Sequence, residues 1–191
     1  MPETESAPDG ALRARRPRSI MHKIFITGFM GSGKSTVARA LAQLRHCAMV
    51  DLDEVIAAAE GRSAGTIIEV DGEPRFRELE RQALLQVLKT DGDLVVALGG
   101  GAWMLETNRQ VIKDHNATSV WLDAPFELCW KRIEPLVGQR PLARNKPTAL
   151  KLFSERTSCY ERADLRVSVT EQKSVEEIAA EIDQALTAHP N

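Results

Sequence analysis

The segment Gly28-Phe29-Met30-Gly31-Ser32-Gly33-Lys34-Ser35 fits the pattern G-x-x-x-x-G-K-[ST], whose chemistry is to cradle the phosphates of a nucleotide. Glycines let the backbone curl and turn successive N–H groups toward one anion. The helix that follows adds the positive end of its dipole. Lys34 can set a compact positive charge on the β- and γ-phosphates, and Ser35 can offer its hydroxyl to Mg²⁺. The segment follows the apolar run 23–27 and opens a helical pattern, the context the pattern requires. The plainer alternative is a glycine-rich strand-to-helix turn with a surface lysine.

Two further groups of residues stand at the ends of apolar runs. Asp51-Leu52-Asp53 closes the second run, and the strand period places both carboxylates on one face. One can meet the hydration shell of a magnesium ion and the other a substrate hydroxyl; either can also cap a helix starting at Glu54. Leu98-Gly99-Gly100-Gly101-Ala102 closes the third run. Three glycines cost backbone entropy, so a close approach by a ligand is expected there. This run lacks the aspartate that often follows an apolar strand in such proteins. Metal binding then leans on Ser35 and the Asp51 strand.

The elements that must position these residues alternate. Apolar runs at 23–27, 48–52, 94–98, 119–122 and 165–169 predict five strands, and their all-apolar character predicts a sheet covered on both faces. Helical patterns cover 36–45, 73–89 and 126–133. The 73–89 pattern carries Phe76, Leu79, Ala83, Leu84 and Val87 on one stripe. Ser174 with Glu177 reads as a capping box before a last helix to about residue 188. Strands alternating with helices predict an α/β fold with a five-stranded parallel sheet in a three-layer sandwich. The stretch 134–147 holds Pro135, Gly138, Pro141 and Pro147 with little apolar periodicity, so a lid loop is expected.

The 191-residue length suits a single domain at 21–191 after a disordered extension at 1–20, which carries Arg13, Arg15, Arg16 and Arg18 beside Glu3, Glu5 and Asp9. Those acids argue against a transit peptide. A net charge of −2 argues against tight non-specific binding of nucleic acid. No apolar stretch approaches the roughly 20 residues that span a bilayer, so a membrane partner is not expected. Cys47, Cys129 and Cys159 are scattered and read as reduced thiols. His22, His46, His115 and His189 form no helical i, i+4 pair and read as structural or solvent-facing.

Taken in order, the motifs resemble those of the shikimate kinase family of P-loop kinases. They are Gly28 to Thr36, Asp51-x-Asp53, Gly72-Glu73-x-x-Phe76-Arg77-x-x-Glu80, Gly99-Gly100-Gly101-Ala102, Arg140-Pro141-Leu142 and Arg156-x-x-x-Tyr160-x-x-x-Asp164. The likeness runs from about Met21 to the last helix. It implies a P-loop NTPase-type fold and transfer of the ATP γ-phosphoryl group to the 3-hydroxyl of shikimate, with Mg²⁺ as cofactor. ATP and shikimate are the partners it implies. A monomer is expected. Absent signals and the need for ATP suggest the cytoplasm.

The resemblance also implies roles. Gly31, Ser32, Gly33, Lys34, Ser35 and Thr36 would bind the nucleotide phosphates. Asp53, Arg77, Gly99, Gly100, Gly101 and Arg156 would hold shikimate, the guanidinium groups pairing with its carboxylate. Lys34, Asp53 and Arg140 would carry catalysis, Arg140 reaching the transferring phosphoryl from the lid. Arg132, matched by position and not by motif, would lie against the nucleotide base. Without the family, Arg77 could be a surface ion pair with Glu73 or Glu80. Arg156 could pair with Glu155 or Glu161, and Arg140 could be a solvated loop charge.

The chain departs from the family pattern at Ile68, where a ring is usual, at Ala143, where Leu is usual, and at Ser174, where Pro is usual. Two other readings compete. A kinase of another small metabolite such as gluconate would share the phosphate loop but would not need Arg77, three glycines and Arg156 together. A silent binding module should have lost Lys34, Asp53 or Arg140, and all three are present. A regulatory GTPase is set aside because Asn145-Lys146-Pro147-Thr148 lacks the aspartate of a guanine-binding motif.

Overall fold

The computed structural model describes residues 22–135 and 143–188. The expected extension at 1–20, half of the expected lid (136–142), and Arg140 lie outside the described residues. Five parallel strands form the sheet: β1 (Lys23–Thr27), β2 (Ala48–Asp51), β3 (Leu94–Ala97), β4 (Thr118–Asp123) and β5 (Leu165–Ser168). Their order is β2-β3-β1-β4-β5. The central strands β3, β1 and β4 are buried nearly throughout, while the edge strands β2 and β5 are more exposed. This is the distribution that a doubly covered sheet demands of its apolar runs.

Among the described residues eight α-helices accompany the strands: α1 (Lys34–Arg45), α2 (Leu52–Glu60), α3 (Ala64–Asp71), α4 (Glu73–Leu88), α5 (Glu106–Asp114), α6 (Phe126–Ile133), α7 (Lys146–Tyr160) and α8 (Val175–Ala188). Right-handed crossovers running in opposite directions from β1 place helices on both faces. Accordingly α1 packs against α8, and α4 packs against α5. The whole predicted stripe of α4, Phe76 to Val87, is buried. The capping box closes as expected: Glu177 N–H donates to Ser174 Oγ (3.1 Å), and Ser174 N–H donates to Glu177 Oε2 (2.7 Å).

Three expectations need correction. The chain leaves β2 one residue early, so Asp53 is the second residue of α2 and does not share a strand face with Asp51. The cause is local: Asp51 Oδ1 accepts from Asp53 N–H (3.0 Å) and caps the helix at once. The expected lid at 134–147 ends earlier, because Asn145 caps α7 through Thr148 N–H (2.9 Å) and Lys146 and Pro147 form its first turn. Helices α3 and α5, and α7 as a continuous helix, were not expected from the sequence. Their apolar stripes are short or weak.

The sheet order reverses at β1. The chain moves out to β2, returns to β3, and then crosses β1 to reach β4. Ligands of open parallel sheets bind beyond the carboxyl ends of strands at such a switch point. There the ends of β1, β2 and β3 stand in register, with Ile26 opposite Ala97 and Asp51 opposite Ala97. The three motif-bearing segments that follow these strands are therefore neighbours.

Candidate active site

The phosphate loop leaves β1 and wraps the start of α1. Gly31 (φ 79°) and Gly33 (φ 98°) hold left-handed backbone that other residues rarely adopt. Gly31 also lies against α6, where a Cβ would come within 2.6 Å of Cys129 O. Below the loop, Phe29 is buried against Phe126 of α6 and Phe153 of α7, with ring centroids 6.5 and 5.1 Å away. This aromatic cluster ties the loop to the two helices that bear Arg132 and Arg156. Lys34 Nζ donates to Gly28 O and Phe29 O, both at 3.0 Å, across the mouth of the loop. Arg132 Nη1 donates to Gly31 O (3.0 Å), so its guanidinium lies over the loop. A cleft of about 300 Å³ is bounded by the loop from Met30 to Thr36, by Asp51, Asp53 and Gly100, and by Arg132.

Asp51 has two tasks. One carboxylate oxygen caps α2, and the other accepts from Ser35 Oγ at 2.5 Å. A serine hydroxyl and a carboxylate beside a phosphate loop are hard oxygen donors. They suit Mg²⁺, which keeps several waters and takes one or two protein groups plus substrate phosphates. No group of three or more His, Cys, Asp or Glu side chains arranged to hold a metal is found among the described residues. The donor set therefore fits Mg²⁺ held by Ser35 and, through water, by Asp51.

The triple glycine after β3 borders the same cleft through Gly100. A Cβ on Gly99 would come within 2.6 Å of Asp53 Oδ1 and 2.8 Å of Glu80 Oε1. A Cβ on Gly101 would collide with the guanidinium of Arg77. Beside Gly100 lies Arg156 Nη1, which donates to Gly100 O (3.0 Å). Four charged side chains from three helices thus approach one strip of backbone that has no side chains of its own.

The two guanidinium groups are held differently. Arg77 pairs with Glu73 (2.7 Å) and with Glu80 (2.8 Å) along α4. This is the ion pair that the i, i+3 and i, i+4 spacings allow, but Glu80 is fully buried, so the pair is no solvated surface bridge. Burial works against the charge of Arg77, yet Glu80 and Glu73 outweigh it and raise the guanidinium pKa. Arg156 makes no pair with Glu155 or Glu161. It is buried at 7% exposure and bonded to a neutral carbonyl.

Glu80 received no role from the sequence, although it closes the motif that contains Arg77. Burial raises its carboxyl pKa to about 7; Arg77 pulls the other way and the charge of Asp53 adds to the rise. Its Oε1 has no hydrogen-bond partner among the described residues. Tyr160, which shares a motif with Arg156, donates its hydroxyl to Gly100 O (2.9 Å) beside that arginine. The signal for both was available: each stands three or four residues after an arginine of the site on the same helix.

Among the departures, Ala143 is fully buried, and Ile68 is partly buried against the core. Ser174 serves as the cap of α8.

A family model described as shikimate kinase matches residues 30–187. The chain belongs to the shikimate kinase family. Shikimate kinase of Persephonella marina is 38% identical over 162 residues, spanning 85% of this chain and 97% of its own. Shikimate kinase of Cereibacter sphaeroides is 37% identical over 171 residues, 88% of this chain and 84% of its own. Among solved structures, shikimate kinase from Acinetobacter baumannii in complex with shikimate superposes with a TM-score of 0.82. It is 30% identical, covering 88% of this chain and 94% of that one. The three-layer α/β fold expected for a shikimate kinase is the fold seen here.

Proposed function

We propose that this protein transfers the γ-phosphoryl group of ATP to the 3-hydroxyl of shikimate, giving shikimate 3-phosphate and ADP. Family membership supports the reaction. The observation that carries the assignment to this site is the convergence of Asp53, Arg77 and Arg156 on the side-chain-free strip Gly99–Gly101, next to the phosphate loop. A hydroxylated carboxylic acid suits that strip. Its carboxylate pairs with the guanidinium groups of Arg77 and Arg156, and a hydroxyl donates to Asp53.

The reaction forms a bond from the 3-oxygen to phosphorus and breaks the bond from phosphorus to the β,γ-bridging oxygen, which leaves with ADP. Catalysis here is mostly positioning and charge neutralisation, because the transition state is loose. The loop N–H groups from Gly31 to Thr36 hold the phosphates. Lys34, now resting on Gly28 O and Phe29 O, moves its charge onto the β- and γ-oxygens. Ser35 and, through water, Asp51 would hold Mg²⁺, which when bound would supply further positive charge to the phosphate oxygens. Asp53 orients the attacking hydroxyl and receives its proton late in the transfer. Arg132, over the loop, lies against the nucleotide base. Arg140, on the resemblance, reaches the transferring phosphoryl group from the lid, whose closure excludes water. In this reading residues 21–191 form one kinase domain after an extension at 1–20. The enzyme acts as a monomer in the cytoplasm, where ATP is abundant. No described helix is long and apolar enough to cross a membrane.

A coupled assay of ADP release with ATP and Mg²⁺ tests the reading, comparing shikimate, gluconate and no acceptor. ADP release should depend on shikimate and exceed background by orders of magnitude. Lys34→Ala and Asp53→Ala should abolish it in folded protein. A flat response to shikimate in protein that binds ATP would sink the proposal, and a response to gluconate in its place would transfer it to another acceptor. Turnover above a tenth of wild type in Asp53→Ala would remove the role given to Asp53.

A further inference from the structure

Glycines at 99–101 leave room for charged side chains, but they pack nothing and lose much conformational freedom on folding. The rigidity of that strip must come from its backbone partners. Gly99 O accepts from Ala102 N–H (3.1 Å), Gly101 O from Met104 N–H (3.0 Å), and Gly100 O from Arg156 and Tyr160. The Gly99 and Gly101 bonds hang the strip on the next segment, a single 3₁₀ turn at Ala102–Met104, and the Gly100 bonds tie it to α7. The carbonyls at the end of such a turn have no partner within it.

Two side chains of α5 supply those partners. Asn108 Nδ2 donates to Ala102 O (3.0 Å). Arg109 Nη1 donates to both Trp103 O (2.6 Å) and Met104 O (2.8 Å). Asn108 is fully buried, and its Oδ1 has no hydrogen-bond partner among the described residues. A buried amide with one end unsatisfied contributes little net stability, because desolvation of the idle oxygen offsets the bond that the other end makes. An apolar side chain of similar size removes the idle oxygen but leaves Ala102 O without its donor. The indole N–H of Trp103 meanwhile donates to Cys159 O (2.9 Å). The same turn is thus fastened to α7, the helix of Arg156 and Tyr160.

We infer that Asn108 and Arg109 are positioning residues for the acceptor half of the site. They pin three successive carbonyls of the turn at 102–104. Through that turn they hold Gly99–Gly101 at the spacing that Asp53, Arg77 and Arg156 require. This rests on the reading that the glycine strip faces the acid substrate. The nucleotide half is carried by β1, α1 and α6, and none of these three α5 bonds reaches those elements. Loss of the clamp therefore raises the KM for the acceptor and leaves the KM for ATP in place. Misplacement of binding groups by less than an ångström is costly in such sites, so an increase of about tenfold is expected.

The experiment is steady-state kinetics of the full chain and of Asn108→Leu, Arg109→Ala and Arg109→Lys, with amide hydrogen exchange of residues 99–104 in the unliganded proteins. Asn108→Leu and Arg109→Ala should raise the KM for shikimate about tenfold with the KM for ATP within about twofold. Exchange at 99–104 should quicken while β3 stays protected. Arg109→Lys, which keeps a donor for the carbonyls, should recover most of the loss. An unchanged KM for shikimate overturns the inference, and so does an equal rise in both KM values. Should wild type fail to phosphorylate shikimate, the functional reading falls by itself. Exchange then decides the clamp: quickening confined to 99–104 supports it, and unchanged exchange overturns it.

Discussion

Glu80→Gln is the substitution whose outcome follows most directly from the physics of this site. The Glu80 carboxyl is fully buried, and burial lifts its pKa from the ordinary 4.5 to about 7 against the pull of Arg77. A carboxyl with a raised folded-state pKa binds its proton more tightly in the folded chain than in the unfolded one. Its contribution to stability is therefore whole below pH 4.5 and is lost as the pH rises through about 7. Every tenfold gain in proton affinity is worth about 1.4 kcal/mol, so the loss amounts to about 3 kcal/mol. Glutamine has nearly the same shape, still accepts from Arg77, and never ionises. The stability of Glu80→Gln relative to wild type should therefore rise by about 3 kcal/mol between pH 4.5 and about 8. Other titrating groups cancel in this difference. Trp103, Trp121 and Trp130 are all buried, so urea unfolding followed by tryptophan fluorescence reads the change. Parallel stability curves, offset by a constant at every pH, would refute the reasoning. They would mean that Arg77 holds Glu80 ionised throughout.

Other substitutions separate stability from function. Gly101→Ala puts a methyl group onto the Arg77 guanidinium and pushes it off buried Glu80, so the fold should lose about 1–3 kcal/mol while the KM for shikimate rises more than about tenfold. Gly100→Ala meets nothing nearer than 3.6 Å in the unliganded protein and should be as stable as wild type; denaturant midpoints and kinetics of the pair check both statements. Arg156→Ala should weaken shikimate binding more than Arg77→Ala, as calorimetry would show, because Arg77 already shares its charge with two carboxylates and Arg156 faces a neutral carbonyl. Tyr160→Phe removes one of two donors to Gly100 O but keeps the ring stacked on Trp121, so urea unfolding should register a loss of about 1 kcal/mol.

What could be read from the sequence had short range. The phosphate loop, the stripe of α4 and the capping box of α8 are patterns within a few residues, and each formed where its spacing placed it. The face shared by Asp51 and Asp53 failed for the same reason that local patterns succeed. A nearer interaction, the Asp51 cap on Asp53 N–H, overrode the strand period one residue sooner than the apolar run suggested. Asn108 was out of reach altogether. Its bond to Ala102 O spans six residues across a turn whose geometry no propensity encodes. The three glycines were legible as a request for space, but what fills that space comes from α2, α4 and α7. Only the resemblance to a family linked those segments before the fold did.

The difference between the two arginines explains why the acceptor side is built on backbone. An incoming carboxylate must compete with Glu73 and Glu80 for Arg77, and both are already within hydrogen-bond distance. At Arg156 the hydrogen bond to displace is the one to Gly100 O, a neutral acceptor that Tyr160 also satisfies. Replacing a carbonyl by a carboxylate strengthens a guanidinium bond, since charge-assisted bonds are about twice as strong as neutral ones. Replacing one carboxylate by another gains little. Most of the affinity for the acid should then come from Arg156, with Arg77 and its buried Glu80 setting orientation. That division requires the Gly100 carbonyl to stay where it is when Arg156 leaves it for the substrate, and the Tyr160 hydroxyl is placed to hold it.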